Sequence, residues 1–143
     1  MATFTEPDVL SEDIANKIHD FNSDTLRWVL SNSAPVLGST FLLSNITQIS
    51  TGGGYTQMTD GAGGLVATIT FSRSGQTTTV RNNAAVVLTA SGAVGPFRYL
   101  ILVNDTPTSP LNPVVGWLDH GSAVTMANTD TYTIPAADIF TIN

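Results

Sequence analysis

Hydrophobic positions recur along this chain in two different rhythms. Near the N-terminus Leu10, Ile14, Ile18 and Phe21 are spaced by four, four and three, which places them on one face of a helix. Pro7 suits an early helical position, and Asp8, Glu12 and Asp13 suit the positive end of the helix dipole. Phe21-Asn22-Ser23-Asp24 ends the helix. From Thr25 onward the texture becomes that of strands. Thr25–Leu30 is rich in strand formers, and Ser31–Pro35 is a turn cluster. Phe41–Ser50 reads as extended, and Gly52-Gly53-Gly54 interrupts it. Leu65, Ala67, Ile69 and Phe71 alternate with less apolar neighbours, and Arg73–Gln76 reads as a hairpin turn.

Thr77–Arg81 and Ala84–Thr89 are the next expected strands. Phe97–Val103 is the most apolar run, which predicts a central strand buried on both faces. A polar loop, Asn104–Pro113, holds three of the seven prolines. Val114–Leu118, Ala123–Met126, Thr131–Ile134 and Ile139–Ile142 complete the pattern. About eight to ten short strands with one helix predict an all-β fold, a β-sandwich. No fixed-period repeat and no charge-rich linker divides the chain. The expected organisation is an N-terminal arm and helix over residues 1–24, joined to a sandwich over 25–143 as a single domain.

Composition narrows the functional classes. Charged residues make up 11% of the 143 positions, under half the usual ~25%. The 42% hydrophobic content argues against disorder. Net charge is −6, and the few basic residues, Lys17, Arg27, Arg73, Arg81 and Arg98, are scattered. Binding to phosphate backbones needs clustered cations, so no nucleic acid is expected as partner. Cysteine is absent, which removes disulfides, thiolate metal sites and a thiol nucleophile. The opening residues lack a secretory pattern, and no apolar run reaches the ~18 residues of a membrane span. The expected place of synthesis is a cytoplasm.

Candidate chemistry is sparse. The two histidines, His19 and His120, lie on different elements. Asp119 and His120 are adjacent, which puts their side chains on opposite faces of an extended chain. Both histidines read as surface or turn residues, His19 on the polar side of the helix. The glycines at 52–54 and 61–64 lack the lysine that a phosphate loop requires, so close approach or tight turning explains them better. Asp8, Glu12, Asp13 and Asp20 read as a solvated helix face. Trp28, Trp117, Tyr55, Tyr99 and Tyr132 could form a sugar platform, but aromatics in strands more often serve a core or a subunit contact. No catalytic, metal or cofactor residues stand out, and no enzyme activity is expected.

The C-terminal half carries the most specific signal. Gly95-Pro96-Phe97-Arg98-Tyr99-Leu100-Ile101-Leu102-Val103-Asn104-Asp105-Thr106 is followed by Pro113-Val114-Val115-Gly116-Trp117-Leu118-Asp119-His120-Gly121-Ser122-Ala123-Val124-Thr125. These stretches resemble a family of small virion proteins of tailed bacteriophages, whose members carry GPFRYAVLYNDT and then PLIGWWDYGSSVTL. Ser23-Asp24-Thr25-Leu26, Asn32-Ser33-Ala34-Pro35 and Ile46–Tyr55 fit the same family, so the resemblance spans nearly the whole chain. Leu118 stands where the family has a second Trp, and His120 where it has Tyr. The closing strand, Asn128–Ile134, lacks the family's glycine–acid turn.

The resemblance implies a structural protein of the virion and no catalytic residues. The expected function is capsid decoration, or cement: binding the outer head surface and stabilising the shell. The expected partners are the major capsid protein, other virion proteins and further copies of the chain. The expected contact residues are Phe4, Leu10, Ile14 and Ile18 in the N-terminal segment, and Asn104, Pro107, Pro110 and Leu111 in the proline-rich loop. The alternatives are a tail, head–tail connector or fibre-attachment protein, and, in another class, a carbohydrate-binding module.

Overall fold

Val94–Asn104 and Val114–Met126 form a long antiparallel pair at the heart of the molecule. The structure is a computed structural model that describes residues 3–143. In chain order the elements are β1 (Phe4–Thr5), α1 (Leu10–Ala15), β2 (Leu26–Ser31), β3 (Leu65–Ala67), β4 (Ile69–Ser74), β5 (Thr77–Asn82), β6 (Val86–Thr89), β7 (Val94–Asn104), β8 (Val114–Met126), β9 (Thr131–Ile134) and β10 (Ala137–Ile142). A single 3₁₀ turn, Leu43–Asn45, interrupts the long segment between β2 and β3. All strand pairs are antiparallel. They make a five-stranded sheet in the order β1-β8-β7-β2-β3, a three-stranded sheet β10-β5-β4 and a two-stranded sheet β6-β9. The all-β expectation holds.

The alternation of side chains divides the large sheet into two buried faces. Register pairs Val29 with Ile101 and Ile101 with Trp117. Those three lie on one face with Met58, Val103 and Val114, covered by Leu43 and Ile46 from the irregular segment. The neighbouring register sets Trp28 against Leu102 and Leu30 against Leu100 on the opposite face. That face meets Val80 and Phe140 of the three-stranded sheet and Leu88 and Ile134 of the two-stranded sheet, forming the main core. The apolar run Phe97–Val103 is thus central and covered on both sides, as its composition predicts.

Gly116 lets β1 join this sheet. A β-carbon there would stand 2.4 Å from the Phe4 ring and 2.5 Å from the Thr5 carbonyl oxygen. Only glycine leaves room for Phe4–Thr5 to pair with Leu118 and Trp117. Phe4 and Thr5 are therefore tied into the chain's own sheet.

Four sequence expectations change. The helix is six residues long and does not extend to Phe21. Lys17 turns to φ 60°, and the Ile18 and Lys17 amides donate to the Asp13 and Ile14 carbonyls. This is a Schellman stop made without glycine. Ile18 and Phe21 reach apolar surroundings after the chain has turned, so their spacing imitates a longer helix. Phe41–Ser50 is not a strand: the Asn45 side chain accepts from the Phe41 and Leu42 amides, at 3.2 and 2.9 Å, and closes the 3₁₀ turn. Leu65–Phe71 breaks at Thr68, where the chain leaves the five-stranded sheet for the three-stranded one. The two strands expected over 114–126 are one continuous β8 with bulged pairing.

Candidate functional site

The segments that carry the family resemblance bond to one another across the fold. Asn104 is completely buried. Its amide nitrogen donates to Asp24 Oδ2 at 2.6 Å and lies 3.2 Å from His19 Nδ1, while its oxygen accepts the Thr106 amide. Asp105 takes the Arg27 guanidinium at 2.6 Å and the Gly61 amide at 2.8 Å. The Thr106 hydroxyl accepts the Thr25 amide at 2.9 Å. Asp24, Thr25 and Arg27 thus form a polar seam with Asn104-Asp105-Thr106 that fixes the entrance of β2 to the exit of β7. A second link joins the Gly95–Thr106 stretch to Pro113–Thr125: Arg98 makes two hydrogen bonds to Asp119, at 2.7 and 2.9 Å. That pair raises the Arg98 pKa and lowers that of Asp119.

This geometry places the expected contact residues individually. Phe4 stacks on Phe140, ring centroids 5.7 Å apart, and Leu10 is buried in the main core. Ile14 and Ile18 are partly buried. Asn104 is buried in the seam, Pro107 and Pro110 are half-buried, and Leu111 is exposed. The structure draws Asn104 towards the N-terminal segment through His19 and Asp24, while Leu111 faces solvent.

His19 corrects the sequence reading. It is buried, not on a polar face. With the Asn104 amide donating to Nδ1, a neutral ring carries its proton on Nε2, 3.7 Å from Asp13 Oδ2. Burial lowers the His19 pKa from 6.5 to about 4, against a smaller opposing effect of Asp24. Asp13 is also buried rather than solvated, and burial, followed by Glu12, raises its pKa. The contact at neutral pH is therefore between a neutral imidazole and a poorly solvated carboxyl group, not a strong ion pair. His120 is exposed, as expected, and its Nδ1 lies 2.9 Å from the Tyr132 hydroxyl.

The aromatic residues sort in favour of the core. Trp28, Trp117 and Tyr55 are buried and present no open face to a sugar. Tyr55 spans the two layers of loop and sheet: its hydroxyl accepts the Leu30 amide and donates to Gln48. Burial pushes its pKa up to about 12. Three of the four arginines are ion-paired, Arg27 with Asp105, Arg81 with Asp138 and Arg98 with Asp119, which leaves little free positive charge. Among the described residues, no three His, Asp or Glu side chains gather as a metal cage.

One concavity was not legible in the sequence. A cleft of about 800 Å³ lies among β1, β8, β9 and β10. Phe4, Leu100, Leu118, Ile134 and Ile139 give it apolar walls, and Asp119, His120 and Tyr132 line it too. Trp28 and Asn82 also belong to its lining. Trp28 Nε1 and Asn82 Oδ1 are buried atoms that no group of the described chain bonds. Leaving such a group unmet costs about 1–3 kcal/mol. The signal for this cleft is the strand order, which no local pattern specifies.

Fold and bonding define a β-rich, antiparallel protein stitched by polar side chains at the ends of its central strands. Comparison with protein-family models, curated proteins and solved structures finds no match to this chain.

Proposed function

We propose that this chain is a structural protein of a tailed bacteriophage virion, a decoration or cement protein that binds the outer surface of the head and stabilises the shell. The observation that carries the reading is the resemblance over Gly95–Thr106 and Pro113–Thr125. Its support from the fold is that Arg98, Asn104, Asp105, Thr106 and Asp119 of those stretches bond to one another or to Asp24, Thr25 and Arg27. A motif made of such mutual contacts preserves a frame, not a reaction centre.

A low-charge surface suits close packing of like subunits, because repulsion between copies stays small. Repetition makes modest contacts effective through avidity. The exposed apolar side chains Val36, Leu37, Val66, Phe71, Val87 and Leu111 supply material for such contacts. Leu111 is the preferred capsid or subunit contact of the proline-rich loop. Phe4 and Leu10 are occupied inside the chain, so removing residues 1–22 would damage the fold as well as any arm.

The test is to locate the protein in a reconstruction of the particle. A copy number on the scale of the shell lattice supports decoration, and one matching a single ring supports a connector or fibre base instead. Absence from particles overturns the virion reading. Adding purified Leu111→Asp protein to heads that lack decoration should give lower occupancy than the unchanged chain, with the melting temperature preserved.

A further inference from the structure

We propose that β4 is a self-association edge: two copies of this chain pair their β4 strands antiparallel, about a two-fold axis that passes beside Phe71. This goes beyond the virion reading and stands without it. Four observations carry the proposal.

The first is an open ladder. Among the described residues β4 pairs with β5 alone, over six residues without a bulge or a proline. The Asn83 amide donates to the Thr68 carbonyl, one step before Ile69 pairs with Asn82. Bonded pairs alternate along an antiparallel ladder, so the even-numbered residues of β4 are the ones bonded to β5. The N–H and C=O groups of Ile69, Phe71 and Arg73 therefore point to the open side, and a free edge is a template for another strand.

The second is an unfinished apolar row. Register aligns Phe71 with Val80 and Val80 with Phe140. Val80 and Phe140 are buried, whereas Phe71 at the edge is 49% exposed. It borders a groove of about 420 Å³ walled by Ile14, Phe21, Val80 and Ile142.

The third is that the edge matches itself. Pairing about Phe71 sets Phe71 against Phe71 of the second copy, and Ile69 against Arg73 in both directions. Every outward N–H and C=O of the three residues then meets a partner. The apolar row runs unbroken through both molecules, and each Arg73 lays its stem along the opposing Ile69. The two Arg73 positions stand about 14 Å apart, beyond the ~8 Å over which charges act at physiological salt.

The fourth is charge. Copies that each carry −6 repel where their acids meet. No Asp or Glu lies between Asp60 and Asp105 in the sequence, so the β4–β5 hairpin is where two like copies can touch. The other edges suit this less. β8 and β10 carry Asp119 and Asp138, β10 is bulged, β3 has three residues, and β6 and β9 have four each.

The test is sedimentation equilibrium of the full chain over about 1–500 µM. The expected result is a monomer–dimer equilibrium with a micromolar dissociation constant, as suits a small interface. Phe71→Glu and Phe71→Lys each set like charges across the axis and should each associate at least about tenfold more weakly. An equimolar mixture of the two should recover a one-to-one dimer. Arg73→Pro removes an outward N–H while sparing the bonds to β5. It should weaken association as much, and it serves where a charged variant folds poorly. A chain that stays monomeric throughout, unchanged association of folded Phe71→Glu or Arg73→Pro, or a Glu–Lys mixture that associates no better than its components would each overturn the proposal.

Discussion

Acidification from about pH 7.5 to about 4.5 charges His19 in a place that favours its neutral form. The ring is buried between Asn104 and Asp13, and its pKa falls from 6.5 to about 4, chiefly through lost solvation. Because the folded value lies below the unfolded one, folding favours the neutral ring. The resulting stability is fully present above pH 6.5 and drains away as pH falls towards 4. A gap of this size corresponds to about 3 kcal/mol, of which about 2–3 kcal/mol should be lost by pH 4.5. Asp13 and Glu6 work in the opposite direction, since burial raises both their pKa values and the folded state then binds protons more readily. The contribution of His19 is therefore read from a difference. Urea unfolding of the unchanged chain and of His19→Gln is measured at steps across this range, and the two stability curves are subtracted. The difference should fall with decreasing pH by about 2 kcal/mol or more. A difference that stays level to within about 0.5 kcal/mol would refute the claim that His19 is buried in its neutral form.

Four further substitutions probe the frame. Gly116→Ala should lower stability by about 1–3 kcal/mol, because its methyl group collides with Phe4 and Thr5; faster amide exchange at residues 3–5 would identify β1 as the element displaced. Lys17→Gly should raise stability by about 0.5–1 kcal/mol by relieving the left-handed backbone at the helix stop, seen as a higher melting temperature. Asp105→Ala should cost about 3 kcal/mol or more, since it strands the largely buried Arg27 guanidinium. Arg81→Ala, which breaks the exposed pair with Asp138, should cost less than about 1 kcal/mol. Equal losses in urea unfolding would show that burial does not separate the two pairs.

The polar seam explains why sequence reasoning and structure meet where they do. Strand-forming composition identified β2, an apolar run identified β7, and alternation with a turn glycine identified the β4–β5 hairpin, because these are properties of neighbouring residues. Asn104 and Asp105 stood inside the motif stretch, and Asn104 was expected as a subunit or capsid contact, with no internal bonding role foreseen for either. Their roles depend on Asp24, Thr25 and Arg27, about eighty residues earlier in the chain, and spacing along a sequence says nothing about such meetings. His19 was misplaced for the same reason: the helical pattern ran on through Lys17, whereas the chain turns there without the glycine that usually announces a stop.

The amino-acid pattern by itself determined the class of fold, the central position of Phe97–Val103 and the low-charge, cysteine-free surface. Those follow from hydrophobic burial and strand geometry, which act residue by residue. Tertiary structure alone decided that Thr68 is a crossing between sheets, that the motif polar groups bond mutually, and that open edges meet in a cleft with Trp28 and Asn82 unmet. Each of these depends on which distant strands become neighbours, and that choice is made by the packing of the whole core.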